Sequence, residues 1–207
     1  VYMNESIRTL YEIHGVKNYY ECHGNSYANP HKKYIQTLLN DLNCDSFITG
    51  IDFACGDGLV SQTLPDIKWV GVDPYLSNRY HIITNNKCID SSMEDVAMGK
   101  CILPKVDVVV CSYCVDIFEK SYMSSFLWQL SLISNTLVII RGNKKKLASN
   151  WWNLTNFMVE GKSCMSIYRV AHNIIMWYTI IQYLKWVYIM GSWNKTCGLS
   201  KLHITAG

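Results

Sequence analysis

The run Asp52-Phe53-Ala54-Cys55-Gly56-Asp57-Gly58 constrains this chain more than any other feature. It leaves an apolar segment with strand character, Phe47–Phe53, and enters a helical one, Gly56–Leu64. Small residues at such a turn let a ligand approach the backbone, and the helix N-terminus behind them offers unpaired N–H groups. A second apolar segment, Ile67–Asp73, ends in an acid about 20 residues after the loop, the spacing of a nucleotide-binding βαβ unit. Asp73 is thereby placed to hydrogen-bond a ribose diol.

The rest of the chain repeats the alternation. Lys87–Asp90 reads as a third strand. Val106–Cys111 is near-continuously apolar, as a central parallel strand covered on both faces should be. A helix is expected over Ser121–Ser134, a fifth strand over Thr136–Ile140 and another helix over Asn150–Glu160, with two more helices, Glu5–Tyr20 and Pro30–Leu42, ahead of the first strand. Alternating strands and helices imply a parallel sheet. The aromatic and β-branched stretch Ile174–Met190 reads as one or two closing strands. The expected fold is therefore α/β: a three-layer Rossmann-like sandwich, its twisted sheet mostly parallel, with helices on both faces and an antiparallel closing strand near the C-terminus. No linker interrupts the 207 residues. One domain is expected, with a helical lid region over 1–45, a cofactor-binding core over 46–140 and a sheet-completing segment over 141–207.

Composition narrows the function classes. Hydrophobic residues make up 49% and charged residues 17%, enough apolar surface to exclude intrinsic disorder. A formal charge of +3 is too weak to demand a polyanionic partner. Nine cysteines, an odd number without the close spacing of a disulfide framework, and no basic segment followed by an apolar signal core point to a reduced, cytoplasmic protein. Gln182 and Lys185 interrupt the C-terminal apolar stretch, so no membrane helix is expected there.

Charge also selects the nucleotide. Asp52 and Asp57 flank the glycine loop, and two carboxylates beside a pyrophosphate would each cost about 1–4 kcal/mol at a surface site. S-adenosylmethionine carries no phosphate; its sulfonium and α-ammonium groups gain from the same carboxylates.

Residues 46–140 resemble the class I S-adenosylmethionine-dependent methyltransferases, whose first motif commonly reads Asp-x-Ala-Cys-Gly-x-Gly. The resemblance implies that Asp52 holds the methionine end of the cofactor, with the backbone of Ala54, Gly56 and Gly58 along that moiety. It further implies that Asp73 takes the ribose hydroxyls and Pro74 packs on the adenine. Ser91-Ser92-Met93-Glu94-Asp95 is similar to the third motif, which puts Ser92 and the Met93 backbone against the adenine; the family often has an Asp where Ser92 stands, and Asp90 is the rival. Val109–Val115 is similar to the fourth motif, with the Cys111 backbone facing the methionine ammonium and Ser112 and Tyr113 near the transferred methyl. Neither Asn/Asp-Pro-Pro-Tyr nor a Pro-Cys nucleophile is present, which argues against base-N6, glutamine-amide and cytosine-C5 methylation.

The segment Tyr19–His31 is dense in aromatics, histidine and turn formers. One reading is a lid over the cofactor with Tyr27 and His31 facing the acceptor; the other is a helix-turn-helix packed on the sheet edge. Cys111 and Cys114 form a CxxC without a second pair, which reads as buried cysteines and not as a metal site. Lys144-Lys145-Lys146 reads as a solvated loop, with RNA contact as the alternative, and His172 as a structural histidine. The expected activity is methyl transfer from S-adenosylmethionine to an O or N nucleophile, first of a small-molecule acceptor. The alternatives are an RNA methyltransferase and a non-catalytic Rossmann-like protein that binds a nucleotide or serves as a partner subunit. Nothing in the sequence names a general base or an oligomeric state.

Overall fold

The computed structural model describes residues 7–23 and 29–171. The chain divides into two compact units, Val1–Val170 and Ala171–Gly207, and every element below lies in the first. Two short helices, α1 (Ile7–His14) and α2 (Val16–His23), stand where one was expected, broken at Gly15. Helix α3 (Lys32–Asn40) buries Ile35, Leu38 and Leu39, the i, i+3, i+4 spacing of an amphipathic face.

The sheet is then built by alternation: β1 (Thr49–Phe53), α4 (Leu59–Thr63), β2 (Lys68–Val72), α5 (Ser77–Thr84), β3 (Lys87–Ile89), α6 (Met93–Ala97), β4 (Val108–Ser112), α7 (Met123–Ile133) and β5 (Thr136–Arg141). Two antiparallel strands, β6 (Trp152–Glu160) and β7 (Ser163–Val170), complete it. Among the described residues the sheet has seven strands in the order β3-β2-β1-β4-β5-β7-β6, with β1 to β5 parallel and β7 antiparallel to both its neighbours. This is the expected mostly parallel Rossmann-like sheet with antiparallel closure.

Burial on both faces explains the apolar runs. Val108 and Val110 point into a core with Ile35, Leu38, Leu39, Val60 and Trp69. Their neighbours Val109 and Cys111 are equally buried, on the opposite side of the pleat. There Phe53 meets Phe126 of α7 edge to face, with ring centroids 5.0 Å apart.

Two expectations need revision, and a third lies beyond the described residues. Residues 152–160 form a strand, not the helix expected over Asn150–Glu160, because they pair along β7 and the Trp152 indole N–H donates to the Leu127 carbonyl (2.9 Å). A register shift between Leu154 and Asn156 breaks the strand alternation that would have revealed it. Helices α5 and α6 were not anticipated. The closing strands expected over Ile174–Met190 lie outside the described residues. Among the described residues, no helix is long and apolar enough to cross a membrane, and no group of three or more His, Cys, Asp or Glu side chains is placed to hold a metal ion.

Candidate functional site

A cavity of about 640 Å³ opens at the C-terminal ends of β1, β2 and β4. It lies where the strand order reverses between β1 and β4, the switch point at which open α/β sheets take ligands. Its floor is the expected loop. Ala54, Cys55, Gly56 and Asp57 line it, and the Ala54 N–H is tied to the Val72 carbonyl (2.8 Å). Ala54 adopts φ +53° and Tyr113, past the end of β4, φ +58°. Left-handed backbone at non-glycine residues is sparse and clusters at ligand sites.

Asp73 follows β2 and is 7% exposed. Its Oδ2 accepts the Gly56 N–H (3.0 Å), and its Oδ1 accepts those of Tyr75 and Leu76 (both 2.8 Å). Three of the carboxylate's roughly four acceptor positions are thereby filled, leaving one on Oδ2. Asp73 therefore locks the glycine loop to the turn after β2 as well as facing the cavity.

Asp52 is 1% exposed and lines the cavity from the end of β1. Its Oδ2 accepts the Ser61 hydroxyl (2.9 Å) and the Ser61 N–H (3.3 Å), and the Ser61 hydroxyl is in turn 2.7 Å from that of Tyr80. Burial pushes the Asp52 carboxyl up to about 8; the Ser61 hydrogen bonds oppose this, and repulsion from Asp73 and Asp57 adds to it. Cys55 Sγ lies 3.7 Å from Cys88 Sγ, and burial raises its thiol.

Two expected contacts are not brought to the cavity. Gly58 caps α4 with φ +79°, and a Cβ there would lie 2.4 Å from Thr84 Cγ2 and 3.2 Å from the Tyr80 ring. A side chain there would crowd α5. Cys111 is fully buried within β4, and Ser112, Tyr113 and Cys114 line the cavity beyond it. Pro74, Ser92 and Met93 do line it. The Ser92 side chain caps α6, accepting the Asp95 N–H (3.1 Å) in a reciprocal capping box. Asp90 is exposed and does not reach the cavity.

At the other end His31, just ahead of α3, stacks on Tyr113, with ring centroids 4.1 Å apart and planes 5° apart. Burial lowers the imidazole's proton affinity. The Tyr113 hydroxyl is hydrogen-bonded to Ser163 at the start of β7. Tyr20 of α2 stacks on Tyr75 beside Pro74 (5.5 Å, 11°), and both line the cavity. Tyr27 and His172 lie outside the described residues. Sequence reasoning missed Tyr20, Tyr75 and Ser163. Tyr20 lay inside the aromatic segment already singled out; the other two carry no local signal.

The lining's charge is one-sided. Asp52, Asp57, Asp73 and Glu94 contribute carboxylates, and no described lining residue is Lys or Arg. The Ser112 hydroxyl is buried with no hydrogen-bond partner among the described residues. This donor set suits a ligand bearing positive charge and neutral polar groups, and opposes a pyrophosphate.

No family model matches the sequence. An uncharacterized protein of Schizosaccharomyces pombe is 24% identical, over 78% of this chain and 85% of its own length. The structure is similar to mitomycin 7-O-methyltransferase, with TM-score 0.58 and 9% identity over 73% of this chain; it spans only 57% of that protein's length. Magnesium protoporphyrin IX methyltransferase from Synechocystis PCC 6803, crystallised with S-adenosylmethionine, gives TM-score 0.57 and 12% identity over 83% of this chain and all of that one. An rRNA methylase from Escherichia coli gives TM-score 0.55 and 11% identity over 79% of this chain and 73% of its own. The chain has the Rossmann-like fold of the class I S-adenosylmethionine-dependent methyltransferases.

Proposed function

We propose that this protein transfers the methyl group of S-adenosylmethionine to an O or N nucleophile of a small molecule. The observation that carries the reading is the cavity at the switch point, lined by four carboxylates and no described Lys or Arg. In this reading Asp52 and the backbone of Ala54 and Gly56 hold the methionine end, and the remaining acceptor position of Asp73 takes a ribose hydroxyl. Pro74, Ser92 and Met93 bound the adenine, the Ser92 hydroxyl serving its cap while the Met93 backbone faces the ring. Bound there, the cofactor supplies an electrophilic methyl on a cationic sulfur. The protein's own part is orientation and exclusion of water, the terms that dominate a displacement of this kind.

Likeness to mitomycin and magnesium protoporphyrin methyltransferases supports a small-molecule acceptor, and likeness to an rRNA methylase keeps RNA as the second reading. Calorimetric titration with S-adenosylmethionine, S-adenosylhomocysteine and NAD tests the cofactor. Preference for NAD, or no binding of either adenosyl compound, would overturn the reading. Label transfer from methyl-labelled S-adenosylmethionine to metabolite extract against bulk RNA separates the acceptors. Binding with no S-adenosylhomocysteine formed from either source would favour a non-catalytic protein.

A further inference from the structure

His31 is a histidine whose position in the cavity suits it to more than contact. Its backbone N–H donates to Asn29 Oδ1 (2.9 Å), which fixes the residue at the head of α3. Stacking on Tyr113 fixes the plane of the imidazole. Tyr113 is itself held by its hydroxyl bond to Ser163 and by its N–H, which donates to the Ile140 carbonyl (2.8 Å). An imidazole bonds through its nitrogens in the ring plane, so a partner stacked on its face leaves both nitrogens usable. Neither has a hydrogen-bond partner among the described residues.

The titratable groups sharing the cavity are Asp52 in β1, Cys55 and Asp57 in the loop after it, Asp73 and Tyr75 after β2, Glu94 in α6, Tyr113 and Cys114 after β4, and Tyr20 in α2. The carboxylates of Asp57, Asp73 and Glu94 would favour an imidazolium, but burial is the cause that acts on the ring, and by lowering its proton affinity it favours the neutral form. A neutral, oriented imidazole with a free nitrogen can receive a proton. The same carboxylates, with no described cationic side chain in the lining, repel an anionic acceptor.

We infer that His31 is the proton acceptor of the site, taking the O–H or N–H proton of an acceptor that carries no negative charge. The step is balanced: the acceptor's O–H or N–H bond breaks with its electron pair left on the heteroatom, and the proton forms an N–H bond on His31, giving an imidazolium. The inference rests on the methyl-transfer reading, because only there does an acceptor nucleophile need freeing. It adds a role to His31 and a class to the substrate: neutral phenols, enols or azoles.

The test uses binding, so it does not depend on turnover. The probe is 2-naphthol, a planar neutral O–H compound; 2-methoxynaphthalene lacks the proton and 2-naphthoate is anionic. Fluorescence titration is run on the full chain with and without S-adenosylhomocysteine, from about pH 7.5 to about pH 4.5, a window extended downward because burial lowers the imidazole from its ordinary value. Protonating His31 removes the acceptor, so 2-naphthol affinity should fall about three- to tenfold over that window, as linkage requires. The methoxy compound should show no such fall, and His31→Gln should flatten the profile with an unchanged thermal transition. A flat wild-type profile, or an equal slope in His31→Gln, overturns the role. Binding of 2-naphthoate with neither neutral probe bound, or binding of no probe, overturns the acceptor class. Failure of S-adenosylhomocysteine to bind would overturn the cofactor reading instead, and the titration without it still judges His31.

Discussion

The Ser61 hydroxyl lies 2.9 Å from Asp52 Oδ2, and that carboxyl is 1% exposed with no cation among its hydrogen-bond partners in the described residues. Burial therefore governs its ionisation and pushes it up to about 8 from the ordinary 3.8. A folded-state value above the unfolded one means that the native state holds the proton more tightly. The corresponding stability is fully present below the ordinary value and is lost as pH rises through about 8. Asp52→Asn keeps an acceptor for Ser61 and removes the ionisation. The variant should match wild type near about pH 4 and exceed it near about pH 9 by on the order of a few kcal/mol. Thermal melts at both pH values check this; parallel pH profiles would count against a neutral buried carboxyl. S-adenosylmethionine binding should weaken in the same variant, because the carboxylate is what a cationic ligand would select.

Asp73 does two things at once, and two substitutions separate them. Asp73→Ala leaves the N–H groups of Gly56, Tyr75 and Leu76 without their acceptor. Unsatisfied donors cost about 1–3 kcal/mol each when buried, so the apo protein should lose about 2–5 kcal/mol in denaturant titration. Asp73→Asn keeps one carbonyl oxygen for the turn after β2. It should retain most of that stability and still bind S-adenosylhomocysteine about tenfold or more weakly. If both variants bind normally, the ribose role is wrong; if only Asp73→Ala is impaired, the residue is a turn lock alone.

Much of this was legible because strand, loop and acid are local. The segment from β1 to Asp73 carries its own signals: apolar runs, turn residues and a terminal carboxylate. Val108–Cys111 announced a central strand because both its faces are buried. Strand β6 misled because Trp151, Leu154 and Met158 fall at helical spacing, while the register shift at Leu154 disrupts the period-two pattern. The site's outer wall was less legible for a different reason. Ser163 reaches Tyr113 only because β7 runs antiparallel to β5, and Tyr20 meets Tyr75 from a helix far away in the chain. The split between Gly56, which lines the cavity, and Gly58, which does not, was equally hidden. It depends on where α5 packs.

That packing gives Gly58 a definite expectation. Its φ of +79° disfavours any side chain, and a Cβ would lie 2.4 Å from Thr84 Cγ2. Gly58→Ala should therefore destabilise the apo protein by about 1–3 kcal/mol through backbone strain and overpacking. Gly71 behaves alike for another cause: with ordinary backbone, its Cβ would lie 2.7 Å from the Tyr80 ring and 2.8 Å from Cys55 Sγ. Urea titrations report both. An apo stability unchanged in Gly58→Ala would return that glycine to the ligand.

Two aromatic stacks join the N-terminal segment to the cavity rim at opposite ends, Tyr20 on Tyr75 past β2 and His31 on Tyr113 past β4. If residues 1–45 act as the expected lid, both stacks belong to the element that gates the ligand, and such elements are drawn from the less stable parts of a fold. Amides of residues 16–23 should then exchange quickly in the free protein and slow when S-adenosylhomocysteine is added. An aromatic pair is worth about 0.5–1.5 kcal/mol beyond its buried area, so Tyr20→Ala should speed ligand release about two- to tenfold. Association should change less, since a contact made after entry acts on dissociation. Stopped-flow release and hydrogen exchange measure the two effects independently. Full protection without ligand, together with a release rate unaltered by Tyr20→Ala, would make the segment a static helical layer on the rim, and the stacks would then serve packing alone.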